Sequence, residues 1–177
     1  MRQGNTKSTY AFPPVETADE NGLLAYGGDL SPERLISAYE SGVFPWFESG
    51  QPILWWSPPK RMILEPGEIK LSKSMRQLIA SQRFEITVDN AFKDVMDRCS
   101  KIPRKDQDST WITESMIRAY SRLHELGFAH SFETRKNGKL VGGLYGVSLG
   151  KIFFGESMFH TESKASKNPF YHFQEFA

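Results

Sequence analysis

Residues 129–158 read AHSFETRKNGKLVGGLYGVSLGKIFFGESM and predict three consecutive β-strands. Apolar and polar residues alternate there with a period near two, which is the side-chain period of a strand. Asn137-Gly138 separates the first two strands, and an Asn-Gly pair between such runs is the strongest local signal for a hairpin. Leu149-Gly150 separates the second and third strands. The expected strands cover residues 129–135, 139–147 and 151–158.

Upstream of this sheet the apolar residues recur at helical spacing, so helices are expected at residues 72–82 and 90–99. A third helix begins after Thr113, a good N-cap residue, and stops at Gly127. Together with the sheet, these helices predict an α/β (α+β) fold with a mixed, largely antiparallel sheet. Shorter patterns predict strands at 62–64 and 84–88 and a final helix at 164–177.

The first 60 residues have a different texture, because proline and glycine turns dominate them. One helix is expected there. Ser31 is a suitable N-cap, Pro32 fits the first helical position, and Gly42 is placed to end the helix. We therefore expect a small N-terminal cap domain over residues 1–60 and a larger domain over residues 61–177.

Composition excludes several classes of protein. The 177 residues are 39% apolar and 24% charged, a balance typical of a soluble globular chain. The net charge of +1 argues against a histone-like polycation but is compatible with a local basic patch. Cys99 is the single cysteine, which rules out an intramolecular disulfide and favours a reducing compartment. No apolar run approaches the roughly 20 residues of a membrane span, so a cytoplasmic location is expected.

Six of the 14 glycines fall between residues 138 and 155, inside the expected sheet. Because glycine weakens a strand, this density indicates bulges or the close approach of a ligand, although turns account for some of the glycines. Glu156 lies between apolar residues and must be paired, protonated or functional; a salt bridge at a strand end is the structural alternative. Without a bulge, Phe154, Glu156 and Met158 share one face of the strand, and a bulge at Gly155 would change that assignment.

Two tryptophans and one basic group are candidates for contact with nucleic acid. Trp46 follows a Phe-Pro turn and Trp111 precedes a helix, so both are expected in loops, where indoles commonly stack on bases. Packing between segments is the alternative role. Lys73, Arg76 and Arg83 lie on or near one helix and could contact phosphates; a solvated helix face is the commoner explanation for such a group. The four histidines show no paired-ligand spacing, so no metal site is expected.

Several runs along the chain are shared with a known family. Gly42-Val43-Phe44-Pro45-Trp46-Phe47 and Phe154-Gly155-Glu156-Ser157-Met158-Phe159 are the most specific of them. Further matching runs lie near residues 21–32, 52–58, 110–131 and 140–147, so the likeness covers nearly the whole chain in order. The chain resembles the bacterial leucyl/phenylalanyl-tRNA–protein transferases.

The resemblance implies an acetyltransferase-like (GNAT-type) domain after the small N-terminal domain. It implies transfer of Leu, Phe or Met from aminoacyl-tRNA to proteins that begin with Arg or Lys, which marks them for N-degron degradation. No cofactor, metal or membrane is implied. Trp46 and Trp111 would hold the 3′-terminal adenosine, and Glu156 would belong to the polar network at the reacting centre. The pocket for the amino-acid side chain would be lined by Leu144, Phe153, Gly155, Ser157 and Met158.

The chain departs from the family pattern in two places. Leu144 stands where better-known members carry Met, which alters the floor of the pocket. The chain also ends before the family's Ile-Asp-x-Gln strand, which supplies a carboxylate and an amide to the catalytic centre. The final helix, with its apolar face and no closing turn, points the same way. We therefore expect a chain shortened at its C-terminus, with an incomplete catalytic centre.

Two other functions are compatible with such a fold. An acetyl-CoA-dependent acyltransferase needs a pyrophosphate loop of the pattern Arg/Gln-x-x-Gly-x-Gly/Ala after the bulged strand. Residues 161–166 read TESKAS, which lacks those glycines and places an acid near the phosphates. A non-catalytic RNA-binding module would instead bind tRNA equally well whether or not the tRNA is aminoacylated.

Overall fold

A computed structural model of the chain describes residues 10–65, 68, 72–102 and 110–162. The chain divides into two compact units, Met1–Arg61 and Met62–Ala177. This division lies next to the expected domain boundary, which stays a prediction. The final helix predicted over residues 164–177, and with it the uncapped end, lies outside the described residues.

The first unit combines one α-helix with a small antiparallel sheet. Helix α1 (Pro32–Glu40) follows Ser31 and has proline in its first turn, as predicted. Gly42, with φ of +72°, lies just beyond the helix end in a conformation that favours glycine. Strands β1 (Leu23–Tyr26), β2 (Phe44–Pro45) and β3 (Leu54–Trp56) form a sheet in the order β1-β3-β2.

Trp55 forms the core of this small sheet. Its side chain is almost fully buried, and its Nε1–H donates to the carbonyl oxygen of Gly27 at 2.9 Å. The ring of Phe12 meets the indole edge-on, with 4.9 Å between ring centroids. The strands were not predicted, because runs of two to four residues are too short to show a period of two.

The Gly27-Gly28-Asp29 turn leads into α1 and is fixed by polar contacts. The Arg34 guanidinium lies over Gly28, where an added Cβ would be 3.0 Å from Arg34 Cζ. Ser31, whose backbone N–H donates to Asp29 at 2.9 Å, and the nearby Arg34 charge lower the pKa of Asp29 below its usual value.

The second unit contains a four-stranded antiparallel sheet in which the strands lie side by side in chain order. This arrangement confirms the expected mixed fold with largely antiparallel sheets; the acetyltransferase-like topology stays a prediction. The strand predicted at residues 62–64 is wrong, since these residues have no regular structure and a three-residue apolar run carries no periodicity. The elements are α2 (Lys73–Ala80), β4 (Glu85–Val88), α3 (Phe92–Ser100), α4 (Glu114–Glu125), β5 (Ala129–Lys136), β6 (Lys139–Leu149) and β7 (Ile152–His160).

Helices α3 and α4 pack on one side of this sheet, called here the helix face. The ring of Tyr145 on β6 meets Phe92 of α3 and Tyr120 of α4 edge-on, at centroid distances of 5.9 and 6.1 Å. Gly143 lies on the same face, and a Cβ added to it would be 2.8 Å from the Phe159 ring and 2.9 Å from a Val95 methyl. The glycine at this position therefore serves close helix–sheet packing.

A buried carboxylate ties the start of α3 to the sheet. Glu133 on β5 is fully buried and accepts hydrogen bonds at 2.5 Å from the hydroxyls of Thr87 and Ser131. The backbone N–H groups of Asn90 and Ala91 donate to the same carboxylate at 3.4 and 3.3 Å. These four donors satisfy a charge that burial would otherwise disfavour strongly.

Candidate active site

A bulge in β7 displaces Glu156 from the regular strand pairing. Tyr145 lies opposite Ser157 and the next residue, Gly146, lies opposite Gly155, so Glu156 has no residue facing it across the ladder. The bulge is thus one residue beyond the position considered from the sequence. An added residue in one strand reorients the side chains on either side of it, a device common beside active sites.

The bulge decides which side chains share a face. Residues directly opposite one another in an antiparallel pair project on the same side of the sheet. Phe154 lies opposite Val147 and Met158 lies opposite Leu144, three residues away on β6, so the two are on opposite faces. The bulge-free expectation that Phe154 and Met158 share a face is therefore wrong.

An apolar surface covers the sheet on the side away from α3 and α4, called here the pocket face. Phe132, Leu144 and Met158 form one row across β5, β6 and β7. Phe153 meets Phe132 edge-on, with 5.8 Å between ring centroids. Leu144 is buried, whereas 43% of the surface of Met158 is exposed. The side chains of Leu144, Phe153 and Met158, three of the five predicted pocket residues, thus lie on this face.

Two glycines shape the pocket face in different ways. A Cβ added to Gly146 would collide with the carbonyl oxygen of Phe154 and lie 2.5 Å from the Phe153 ring. The missing side chain therefore lets the ring approach the backbone closely at this point. At Gly155 an added Cβ would have only Leu144 Cδ1 and Phe153 Cε1 nearby, both at 4.0 Å. Gly155 thus leaves a space between two predicted pocket residues.

Ser157 is placed differently from the other predicted pocket residues. It lies opposite Tyr145, so its side chain projects toward the helix face. Glu156 and Ser157 are both half-buried, and neither is without an interaction partner. The register therefore places the Ser157 hydroxyl on the side of the helix face, whereas Glu156, in the bulge, directly follows Gly155 of the pocket face.

The two predicted adenosine-binding tryptophans belong to different units and have different exposure. Trp46, in the first unit, is 43% exposed and meets Trp56 edge-on at 5.6 Å. The carbonyl oxygen of Trp46 accepts from Trp56 Nε1–H at 2.7 Å, and its N–H donates to Leu54 at 3.0 Å. Trp111, in the second unit, is 9% exposed and precedes the N-cap of α4. Both lie outside helices and strands, as predicted.

The predicted phosphate-binding residues fall into two groups. Lys73 and Arg76 are exposed on α2. Arg83 is also largely exposed, but its Nη2 lies 3.8 Å from the carboxylate of Glu162, an ion pair that the sequence did not indicate. Among the described residues, no group of three or more His, Cys, Asp or Glu side chains is arranged to hold a metal ion.

Phe132 is a site residue that the sequence analysis missed. It is buried on β5, one row from the bulge, and forms a wall of the pocket face with Phe153. The strand period placed it on one face of β5, but its pairing with Leu144 and Met158 depends on the register of three strands. Register is a property of the assembled sheet, which a single sequence does not specify.

Comparison with known proteins identifies the family. A model of the leucyl/phenylalanyl-tRNA protein transferase family matches residues 63–177, and a model of the N-terminal domain of the same proteins matches residues 28–59. These matches define an enzyme of the aminoacyltransferase class. The chain belongs to the leucyl/phenylalanyl-tRNA protein transferase family.

Three relatives bear the name leucyl/phenylalanyl-tRNA–protein transferase. The chain is 56% identical to that of Lawsonia intracellularis over 156 residues, which is 88% of this chain and 68% of the relative. It is 58% identical to that of Syntrophus aciditrophicus over 156 residues, 88% of this chain and 65% of the relative. It is 58% identical to that of Nitrosospira multiformis over 163 residues, which is 91% of this chain and 70% of the relative. The chain thus spans about two thirds of the length of these relatives.

None of the helices that the structure describes is long and apolar enough to cross a membrane.

Proposed function

We propose that this chain transfers Leu, Phe or Met from aminoacyl-tRNA to the N-terminal Arg or Lys of acceptor proteins, marking them for degradation in the cytoplasm. The observation that carries the proposal is the apolar pocket face next to the bulge that contains Glu156. Leu144, Phe153 and Met158 offer a surface for an apolar amino-acid side chain, and Glu156 lies next to it. The family membership supplies the class of donor.

Burial of the donor's side chain is the first requirement of the reaction. Removing a Leu or Phe side chain from water on such a surface contributes roughly 1.5–3 kcal/mol. The space at Gly155, between Leu144 and Phe153, is where an apolar group would enter. The side-chain atoms nearest this space are apolar, so the pocket favours apolar donors.

The chemistry needs little activation, because the donor is already an ester. The acceptor's α-amino nitrogen attacks the ester carbonyl carbon, and a C–N bond forms. The bond from that carbon to the ribose oxygen breaks, and the proton lost from nitrogen ends on the ribose hydroxyl. An α-amino group has a pKa of roughly 7.7–8.0, so obtaining the free amine at neutral pH requires only about 1.4 kcal/mol.

Glu156 acts in this proposal through position and charge. Holding the amine and the ester in line can supply several kcal/mol, and groups that stabilise the developing charges add to it. A bulge changes the direction of its side chain relative to the regular strand, which suits Glu156 to orient an ammonium or amine. We assign it no covalent role.

The donor's 3′ end and its phosphates are assigned to separate residues. Trp46 and Trp111 stack on the terminal adenosine; the exposed indole of Trp46 and the loop positions of both support this assignment. Lys73, Arg76 and Arg83 contact phosphates, and their exposure supports that role. In this proposal Ser157 contributes to the pocket with its backbone, next to the bulge, because its side chain projects toward the helix face.

The test is transfer of labelled Leu from Leu-tRNA to peptides that begin with Arg or Lys, with an Ala-starting peptide as the control. We expect label on the Arg and Lys peptides only, and a large loss of kcat with Glu156→Gln at unchanged fold. The assay is run with this chain and with a version lengthened to the size of its relatives. Absence of transfer by both, with folded protein and intact donor, would overturn the proposal. Tight binding of acetyl-CoA, or equal affinity for charged and uncharged tRNA, would favour the alternative functions.

A further inference from the structure

The turn between β5 and β6 concentrates positive charge. Arg135, Lys136 and Lys139 surround Asn137-Gly138, and the register places Lys136 directly opposite Lys139. Like charges directly opposite one another destabilise a strand pair. Of the two lysines, Lys139 is exposed, so its charge is accessible to a partner outside the sheet.

Arg83 and Glu162 complete the arrangement. Lys136 Nζ lies 2.8 Å from both carboxylate oxygens of Glu162, and Arg83 Nη2 lies 3.8 Å from one of them. Glu162 follows β7, two strands away from β5, so the three side chains come from distant parts of the sheet. We call Arg83, Lys136, Lys139 and Glu162 the hairpin cluster.

The hairpin cluster carries more positive charge than its own carboxylate neutralises. Two of its three cations, Arg83 and Lys136, contact its one anion, and Lys139 is exposed with no ion pair among the described residues. Arg135, next to the cluster, lies opposite Glu85 and donates to the carbonyl oxygen of Gly138 at 3.2 Å. An excess of this kind is unusual in a chain whose net charge is only +1.

We propose that the hairpin cluster binds the phosphate backbone of RNA, and that Glu162 is an internal counterion which the phosphate displaces. This rests on the proposed function, which supplies tRNA as the RNA. The two oxygens of a phosphate can replace those of the carboxylate on Lys136 Nζ. The Lys136–Glu162 pair is partly exposed, with 27% and 33% of the two side chains accessible, so the internal contact is weak enough to exchange.

The test is the salt dependence of tRNA binding by the 177-residue chain. Each lost phosphate contact lowers the slope of log affinity against log salt by about 0.7–1 and the affinity by about threefold under low-salt conditions. We expect that result for Lys139→Gln and for Lys136→Gln. Arg118→Gln is the matched control, because Arg118 is an exposed cation on α4 paired with Glu114 at 3.2 Å, and it should change neither quantity.

Glu162→Gln should change the affinity for tRNA in the opposite direction. Removing the internal competitor should tighten tRNA binding about threefold and leave the fold unchanged, as checked by thermal unfolding. The inference is overturned if Lys136→Gln and Lys139→Gln behave like Arg118→Gln, or if Glu162→Gln weakens binding.

A short donor separates this inference from the proposed function. Transfer from an aminoacyl-adenosine that lacks the tRNA body should be unaffected by Lys139→Gln, because the hairpin cluster would contact only the body. If the short donor is used normally but all cluster variants bind tRNA like the unchanged chain, the cluster inference alone fails. If no donor is used while the cluster variants still alter the salt slope, the proposed function fails and RNA binding stands.

Discussion

The helix face and the pocket face of the four-stranded sheet use glycine in opposite ways. On the helix face, Gly143 makes room for the Phe159 ring and a Val95 methyl, and the space is completely filled. On the pocket face, Gly155 leaves a space, because a Cβ added to it would have its nearest side-chain atoms 4.0 Å away. The same residue type thus closes one side of the sheet by packing and opens the other to a ligand.

The largest expected effect is at Gly146, where the pocket face is as tightly filled as the helix face. Gly146→Ala forces a methyl group into the Phe154 carbonyl oxygen and the Phe153 ring, and backbone cannot move aside as a side chain can. We expect a loss of about 3 kcal/mol or more in the free energy of unfolding. Urea titration measures it, and a loss below about 0.5 kcal/mol would contradict the packing at this position.

Gly143→Ala tests the filled side directly. The added methyl meets only side-chain atoms, which can adjust, so we expect a smaller loss of about 1–3 kcal/mol. Val95→Ala in the same chain removes two of the three nearest atoms and should recover part of that loss. Strictly additive effects of the two substitutions would show that Gly143 and Val95 are not in contact.

Glu133→Gln tests the polar part of the helix face. The carboxylate accepts hydrogen bonds from two hydroxyls and two backbone N–H groups. In glutamine one of the two oxygens is replaced by an NH2 group, which is a donor and cannot accept the hydrogen bonds of these neighbouring donors. We expect a loss of about 1–3 kcal/mol in the free energy of unfolding. Glu85→Gln, on the exposed end of β4, is the control and should be close to neutral.

The smallest effect on stability is expected at Gly155, and it has the opposite sign. Gly155→Ala adds a methyl without a clash and reduces the freedom of the unfolded chain, so stability should be unchanged or rise by about 0.4–1 kcal/mol. The same methyl occupies the space between Leu144 and Phe153. Transfer of Phe should therefore fall severalfold relative to transfer of Leu, as measured by the ratio of kcat/KM. Equal effects on the two donors would place the donor's side chain elsewhere.

Local patterns were sufficient for the regular elements of the second unit. The four apolar positions predicted to face inward on α3 are all buried: Phe92, Val95, Met96 and Cys99. They could be predicted because a helix of nine residues repeats its period often enough to be recognised. Thr113 caps α4 as predicted, and its side chain accepts a hydrogen bond from the Met116 N–H. This cap could be predicted because capping involves residues only three positions apart.

Features that depend on distant parts of the chain escaped prediction. The bulge at Glu156 was not located, because it is defined by the register of β7 against β6 and not by the residues of β7 alone. The pairing of Lys136 with Glu162 joins residues 26 positions apart. The three strands of the first unit are too short for any period, and only their mutual pairing defines them.

The Glu133 carboxylate has a consequence for the way the second unit opens. The residue at the N-cap of α3 is Ala91, which has no side chain able to cap, and β5 supplies the acceptor for its N–H instead. The backbone that leads into α3 therefore cannot leave the sheet while β5 stays in place without depriving a buried carboxylate of donors. Amide hydrogen exchange at Asn90 and Ala91 should consequently report the cooperative opening of the sheet and not the mobility of a helix end.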